Sequence, residues 1–82
     1  MKRSREQITR DILALLAREG AQGKTQIVYG CGLAFQPAGG YLADLEAGGQ
    51  VVAIAHPANG RRHWHITEKG RTTLRHLAAV MR

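Results

Sequence analysis

Apolar residues at the start of the chain recur with a helical period. Ile8, Ile12, Leu15 and Leu16 fall at i, i+4, i+7 and i+8, with Arg3, Arg10 and Arg18 off that stripe. The spacing predicts a helix over 4–19. Ser4 is placed to cap it, Gln7 completes a capping box, and Gly20 stops it. Residues 21–24 read as a short linker. Thr25 is expected to cap a second, short helix carrying Ile27, Val28 and Cys31 and ending near Gly30, with Leu33 and Phe35 in the following turn. A third helix is expected from Gln36, with Pro37 at its first position and Ala38, Tyr41, Leu42 and Leu45 facing inward. Gly48 and Gly49 end it.

The period then changes. Val51, Val52 and Ile54 make 50–55 a strand, and Asn59-Gly60 signals a hairpin. The return strand, 61–66, sets Arg62, Trp64 and Ile66 on one face and Arg61, His63 and His65 on the other, with Trp64 and Ile66 marking the core side. Thr67 caps a last helix, with Glu68 at its positive end and Leu74, Leu77, Ala78 and Met81 on one stripe. Three helices, a two-stranded hairpin and a C-terminal helix make an α+β winged helix-turn-helix. The whole chain, 1–82, reads as one domain: 4–66 form the winged-helix core and 67–82 the closing helix.

Composition alters this picture in one respect. At 82 residues the chain suits a single domain with little margin of stability, which makes dimerisation attractive. Twelve Lys and Arg against six Asp and Glu give a formal charge of +6 and a pI near 10.5. That balance favours a polyanionic partner, nucleic acid first and an anionic membrane second. The single cysteine, Cys31, excludes an internal disulfide and reads as a small buried hydrophobe. The basic N-terminus is followed by no apolar run of signal length. Segment 8–17 contains Arg10 and Asp11 and is too short to span a bilayer. A soluble, cytoplasmic protein with no membrane partner is expected.

Four stretches carry a likeness to a known family. They are Asp11-Ile12-Leu13; Lys24-Thr25-Gln26-Ile27-Val28-Tyr29; Tyr41-Leu42-Ala43-Asp44-Leu45-Glu46-Ala47-Gly48-Gly49; and Trp64-His65-Ile66-Thr67-Glu68-Lys69-Gly70. In this order, across residues 9–77, they resemble the small winged-helix regulators of archaea and their viruses, which have relatives in bacteria. The last stretch is the most specific, because it joins a strand, a cap and a helix start. The chain departs from the pattern at Ala21, where the family has glycine, and at Gln50, where it has an apolar residue. It departs again over Phe35-Gln36-Pro37-Ala38-Gly39-Gly40, where the family has polar and basic residues.

The resemblance implies double-stranded DNA binding, for transcriptional regulation or nucleoid organisation. Wings of this kind lie along the backbone or enter the minor groove, which nominates Arg61, Arg62 and His63. The alternative for these residues is a solvated hairpin. Lys24, Thr25 and Gln26, at the start of the second helix, suit a phosphate. On the third helix Gln36 is the one outward side chain suited to reading a base, while Gly39 and Gly40 permit close backbone approach. Weak sequence discrimination through this helix is therefore expected. The competing function is a winged helix serving as a protein-interaction module in a larger assembly. A homodimer built on Leu74, Leu77, Ala78 and Met81, helped by the first helix, is expected, against the alternative that this stripe packs on its own core.

Other chemistry finds little support. Segment 20–25 lacks the full phosphate-loop pattern and follows no strand. His56, His63 and His65 lack the further ligands a zinc site needs. No nucleophile–base signature is present, so no metal, cofactor, small-molecule substrate or enzymatic activity is expected.

Overall fold

The computed structural model describes residues 3–80. In chain order the elements are α1 (Arg5–Glu19), β1 (Gln22–Gly23), α2 (Lys24–Cys31), α3 (Phe35–Ala47), β2 (Val51–Ala55), β3 (Arg62–Ile66) and α4 (Glu68–Val80). This is the winged-helix order that the periodicity predicts, with one addition. Gln22 and Gly23, expected in a linker, pair antiparallel with Trp64 and His63 and make a three-stranded sheet of order β1-β3-β2. Two residues are too few to show a strand's alternation, so this edge is set by tertiary pairing alone.

Capping accounts for the helix boundaries. The Ser4 hydroxyl accepts from the Gln7 amide at 3.1 Å, and the Gln7 side chain accepts from the Ser4 amide at 2.7 Å, the reciprocal box expected at α1. At α2 the expectation fails: Gly23, not Thr25, is the N-cap, and the Gln26 side chain accepts its amide at 2.8 Å. Pairing in β1 holds Gly23 extended, so the helix begins at Lys24. It continues past Gly30 to Cys31, because Gly32 supplies the left-handed C-cap. Helix α3 starts at Phe35, earlier than expected, and Pro37 is its third residue. Proline is tolerated there because amides of the first turn have no intrahelical acceptor.

Ile12, Leu13, Leu16, Ile27 and Leu42 are fully buried, and Cys31, Leu45, Val51 and Trp64 extend the same cluster. Burial pushes the Cys31 thiol above its ordinary pKa, which keeps it protonated and inert. In the hairpin, Val51, Ala53 and Ala55 pair with Ile66, Trp64 and Arg62, while Val52 and Ile54 pair with His65 and His63. Asn59-Gly60 does not form a two-residue turn. The loop spans 57–60: the His56 amide donates to the Arg61 carbonyl at 2.7 Å and the Gly60 amide to the His56 carbonyl at 2.8 Å. Gly60, at φ 70°, supplies the left-handed residue.

Helix α4 is joined to the sheet through Thr67. Its hydroxyl accepts from the Gly70 amide at 3.0 Å and donates to the Gly49 carbonyl at 2.6 Å, and its backbone amide donates to the Gln50 carbonyl at 3.0 Å. Gly70 is buried against that segment. α4 packs along α1. Of its apolar stripe, Leu74 turns onto the domain's own core, Leu77 is half-buried and Ala78 is exposed; Met81 lies outside the described residues.

Candidate nucleic-acid interface

An open cleft of about 540 Å³ separates the start of α2 from the wing. Gly23, Lys24, Thr25 and Gln26 line one wall; Asn59, Arg61, Arg62, His63 and Trp64 line the other. Residues nominated from two distant stretches of sequence thus face one space. β1 brings them together, because it ties the α2 start directly onto β3.

The cations here are not equivalent. Arg62 points along the inner sheet face, donates to both Glu46 carboxylate oxygens at 3.1 and 3.4 Å, and stacks 5.4 Å from the Trp64 ring centre. Its charge is largely matched within the molecule. Arg61 is exposed and has no carboxylate partner among the described residues. Its backbone amide is held by the Asn59 side chain at 2.8 Å. Lys24 also lacks a carboxylate partner among the described residues; its ammonium sits 4.1 Å from the Phe35 ring centre, beside Gly39.

Helix α3 presents Gln36, Gly40, Ala43 and Ala47 along its exposed midline while Ala38, Leu42 and Leu45 face the core. Gln36 and Gly40 are exposed as expected, and Gly39 lies on the flank beside Lys24. Asp44 and Glu46, which would repel phosphates, are each paired with an arginine. Asp44 pairs with Arg5, whose guanidinium lies 5.7 Å from the Tyr41 ring centre. Arg5, Pro37, Gly40, Tyr41 and Asp44 line a shallower hollow of about 230 Å³.

Sequence reasoning missed Arg5, Asn59 and Trp64 in this region. Arg5 lies 39 residues from Asp44, and no local pattern connects them. The wing histidines form a pair and not a ligand set: the His56 and His63 rings are 4.9 Å apart, and His56 Nδ1 accepts from the Ala58 amide at 3.1 Å. Among the described residues no group of three or more His, Cys, Asp or Glu could hold a metal ion, and no helix is long and apolar enough to cross a membrane.

Comparison with known proteins agrees with this fold. The family model for winged helix-turn-helix domains matches residues 2–82. Sso10a-2, a DNA-binding protein from Sulfolobus solfataricus, is 30% identical, with a TM-score of 0.87 over 96% of this chain and 79% of that one. The transcriptional regulator Tm0710 from Thermotoga maritima is 26% identical, with a TM-score of 0.78 over 88% of this chain and 51% of its own. NMB1585, a MarR family regulator from Neisseria meningitidis, shares the fold at 21% identity, with a TM-score of 0.72 over 90% of this chain and 53% of its own. The chain thus spans about half the length of these bacterial regulators. No curated protein matches the sequence.

Proposed function

The chain belongs to the winged helix-turn-helix family, and from that premise we propose that it binds double-stranded DNA, as a transcriptional regulator or nucleoid-organising protein, and is not an enzyme. The observation that carries this reading is the cleft, where Lys24 and Arg61 converge without carboxylate partners among the described residues while Arg62 beside them is matched by Glu46; Lys69, Arg71 and Arg75 on α4 are likewise in no ion pair among those residues. Two such cations facing one groove favour phosphate over any neutral ligand.

The two wing arginines then separate in a binding assay. Arg61→Ala is expected to flatten the log–log salt dependence by about 0.9, the value for one lost phosphate contact. Arg62→Ala is expected to do less, because Glu46 already neutralises that side chain. Fluorescence anisotropy on one duplex over a salt series measures both. No effect from Arg61→Ala would remove the wing from the interface, and equal effects would show that Glu46 does not neutralise Arg62.

A homodimer is part of the proposal. With Leu74 committed to the core, Leu77, Ala78 and the exposed Val80 are left as the apolar surface of α4 among the described residues. Two copies would present two wings, as two-fold DNA readers do. Sedimentation at tens of micromolar is expected to give twice the chain mass; a monomeric mass would count against it.

The rival function, a protein-interaction module, is favoured by the outer sheet face, where Val52 and Ile54 stand exposed. It differs in outcome: duplex binding would be absent or indifferent to salt.

A further inference from the structure

The wing carries two imidazoles whose rings meet, and the two are not alike. His56 and His63 are both half-buried, with ring centres 4.9 Å apart and planes at 50°. His56 Nδ1 accepts the Ala58 amide at 3.1 Å, which puts the ring's own proton on Nε2 and helps close the wing loop. Protonating His56 would place a hydrogen on Nδ1 and break that bond. His63 makes no side-chain hydrogen bond and no ion pair among the described residues. Its Cδ2–Nε2 edge lies over Gly23, where a Cβ would stand 3.6 Å from Nε2 and cover it; glycine leaves the edge open. The same ring lines the cleft that holds Lys24 and Arg61.

We propose that His63 is a third phosphate ligand of the cleft, one that takes up a proton when DNA binds, so that duplex affinity rises as pH falls. The inference rests on the DNA-binding reading above. Imidazole is the side chain whose charge changes between about pH 5 and 8. In the free protein the charged groups sharing the His63 cleft are Lys24 from α2 and Arg61 from the wing. Ile54 stands opposite it on β2, and His56 touches it from the end of that strand. Arg62 is turned to the other sheet face and matched by Glu46, while His65 lies opposite Val52, outside the cleft. The local charge is therefore positive and opposes protonation. A phosphate held by Lys24 and Arg61 reverses that field and favours the imidazolium, whose N–H then donates to a phosphate oxygen. The pair takes up one proton, because His56 stays neutral through its bond to Ala58 and two adjacent imidazoliums would repel. The complex thus holds the proton more tightly than the free protein does, so binding strengthens in acid and loses that gain as pH rises.

Anisotropy titrations of one duplex across a salt series, at about pH 5.5 and about pH 8, test this in wild type, His63→Gln and His56→Asn. Asparagine at 56 keeps an acceptor for the amide two residues on and removes the titrating ring. Wild type is expected to bind roughly ten-fold tighter at the lower pH, the low end for an opposite charge brought beside a titrating group. Its salt slope should be steeper there by about 0.9, one further phosphate contact. His63→Gln is expected to lose both differences, and His56→Asn to keep them. Thermal melts at both pH values register a purely structural role. The His63 imidazole resonances, followed by NMR in wild type with and without duplex, read the proton directly and depend on no variant: their titration midpoint should move to higher pH on binding. A midpoint that stays or falls, or a pH dependence that survives in His63→Gln, overturns the inference. So does a pH dependence lost in His56→Asn and kept in His63→Gln, which would put the proton on the other ring. If wild type binds duplex equally at both pH values, the inference fails and the DNA-binding reading stands. If it binds no duplex at either, that reading fails and takes this inference with it.

Discussion

Gly70→Ala is expected to cost the domain at least about 3 kcal/mol, the upper end for an overpacked core. A methyl group at position 70 would lie deep inside contact distance of the Gln50 carbonyl oxygen and 2.8 Å from Ile66 Cγ1. The obstructing carbonyl is not free to move, because it accepts the Thr67 amide at 3.0 Å. Thr67 is itself fixed by its hydroxyl bonds to Gly49 and Gly70. Relief therefore means withdrawing the first turn of α4 and giving up its contact with α1 and the sheet. At about 4–8 °C per kcal/mol for a domain of this size, the melting midpoint should fall by roughly 12 °C or more. Circular dichroism melts of the two proteins decide it, and a midpoint within about 3 °C of wild type would show that α4 is not seated as described.

The second large effect is on binding. The double change Lys24→Glu, Arg61→Glu is expected to weaken duplex binding by roughly sixty-fold or more at about 0.1 M salt. Loss of two phosphate contacts at about 0.9 each in the salt exponent accounts for that factor. Two new negative charges facing the backbone add to it. Neither residue belongs to the buried core, and the lysine's contact with the Phe35 ring is worth only about 0.5–1 kcal/mol. The variant should therefore remain folded, which its melt would verify. Binding within a few-fold of wild type would show that the cleft does not carry the interface.

Much of this architecture is written locally. The Ser4–Gln7 box is an exchange between residues three apart, and the inward stripe of α3 is an i, i+4, i+7 pattern. Thr67 to Gly70 joins strand to helix in one unit, and burial of Gly70 supplies the physical reason for its glycine. What the sequence hides depends on distant partners. β1 exists because β3 offers it an edge, and that edge moves the α2 cap from Thr25 to Gly23. The candidate site divides along the same line. Alternation along 61–66 separates the faces of Arg61 and Arg62, but only the fold places Glu46 beside Arg62 and leaves Arg61 without a carboxylate partner among the described residues. The pairing of Arg5 with Asp44 joins the chain's first helix to its third, beyond the reach of any periodicity.

The scarcity of base-reading side chains on α3 has a direct consequence. Gln36 stands in the first turn, and the rest of the midline is glycine and alanine. Discrimination between sequences should then come from the wing and from the shape of the duplex, and should be small.

The most direct measurement is a salt titration of wild-type protein on several unrelated duplexes. Expected is binding to all of them within a few-fold, with affinity falling linearly on a log–log plot at a slope of about −0.9 for each phosphate contacted. Lys24 and Arg61 together contribute about −1.8 to that slope per domain, by two contacts at about −0.9 each. A slope near zero, or no binding to any duplex, would contradict the assignment of this surface to DNA.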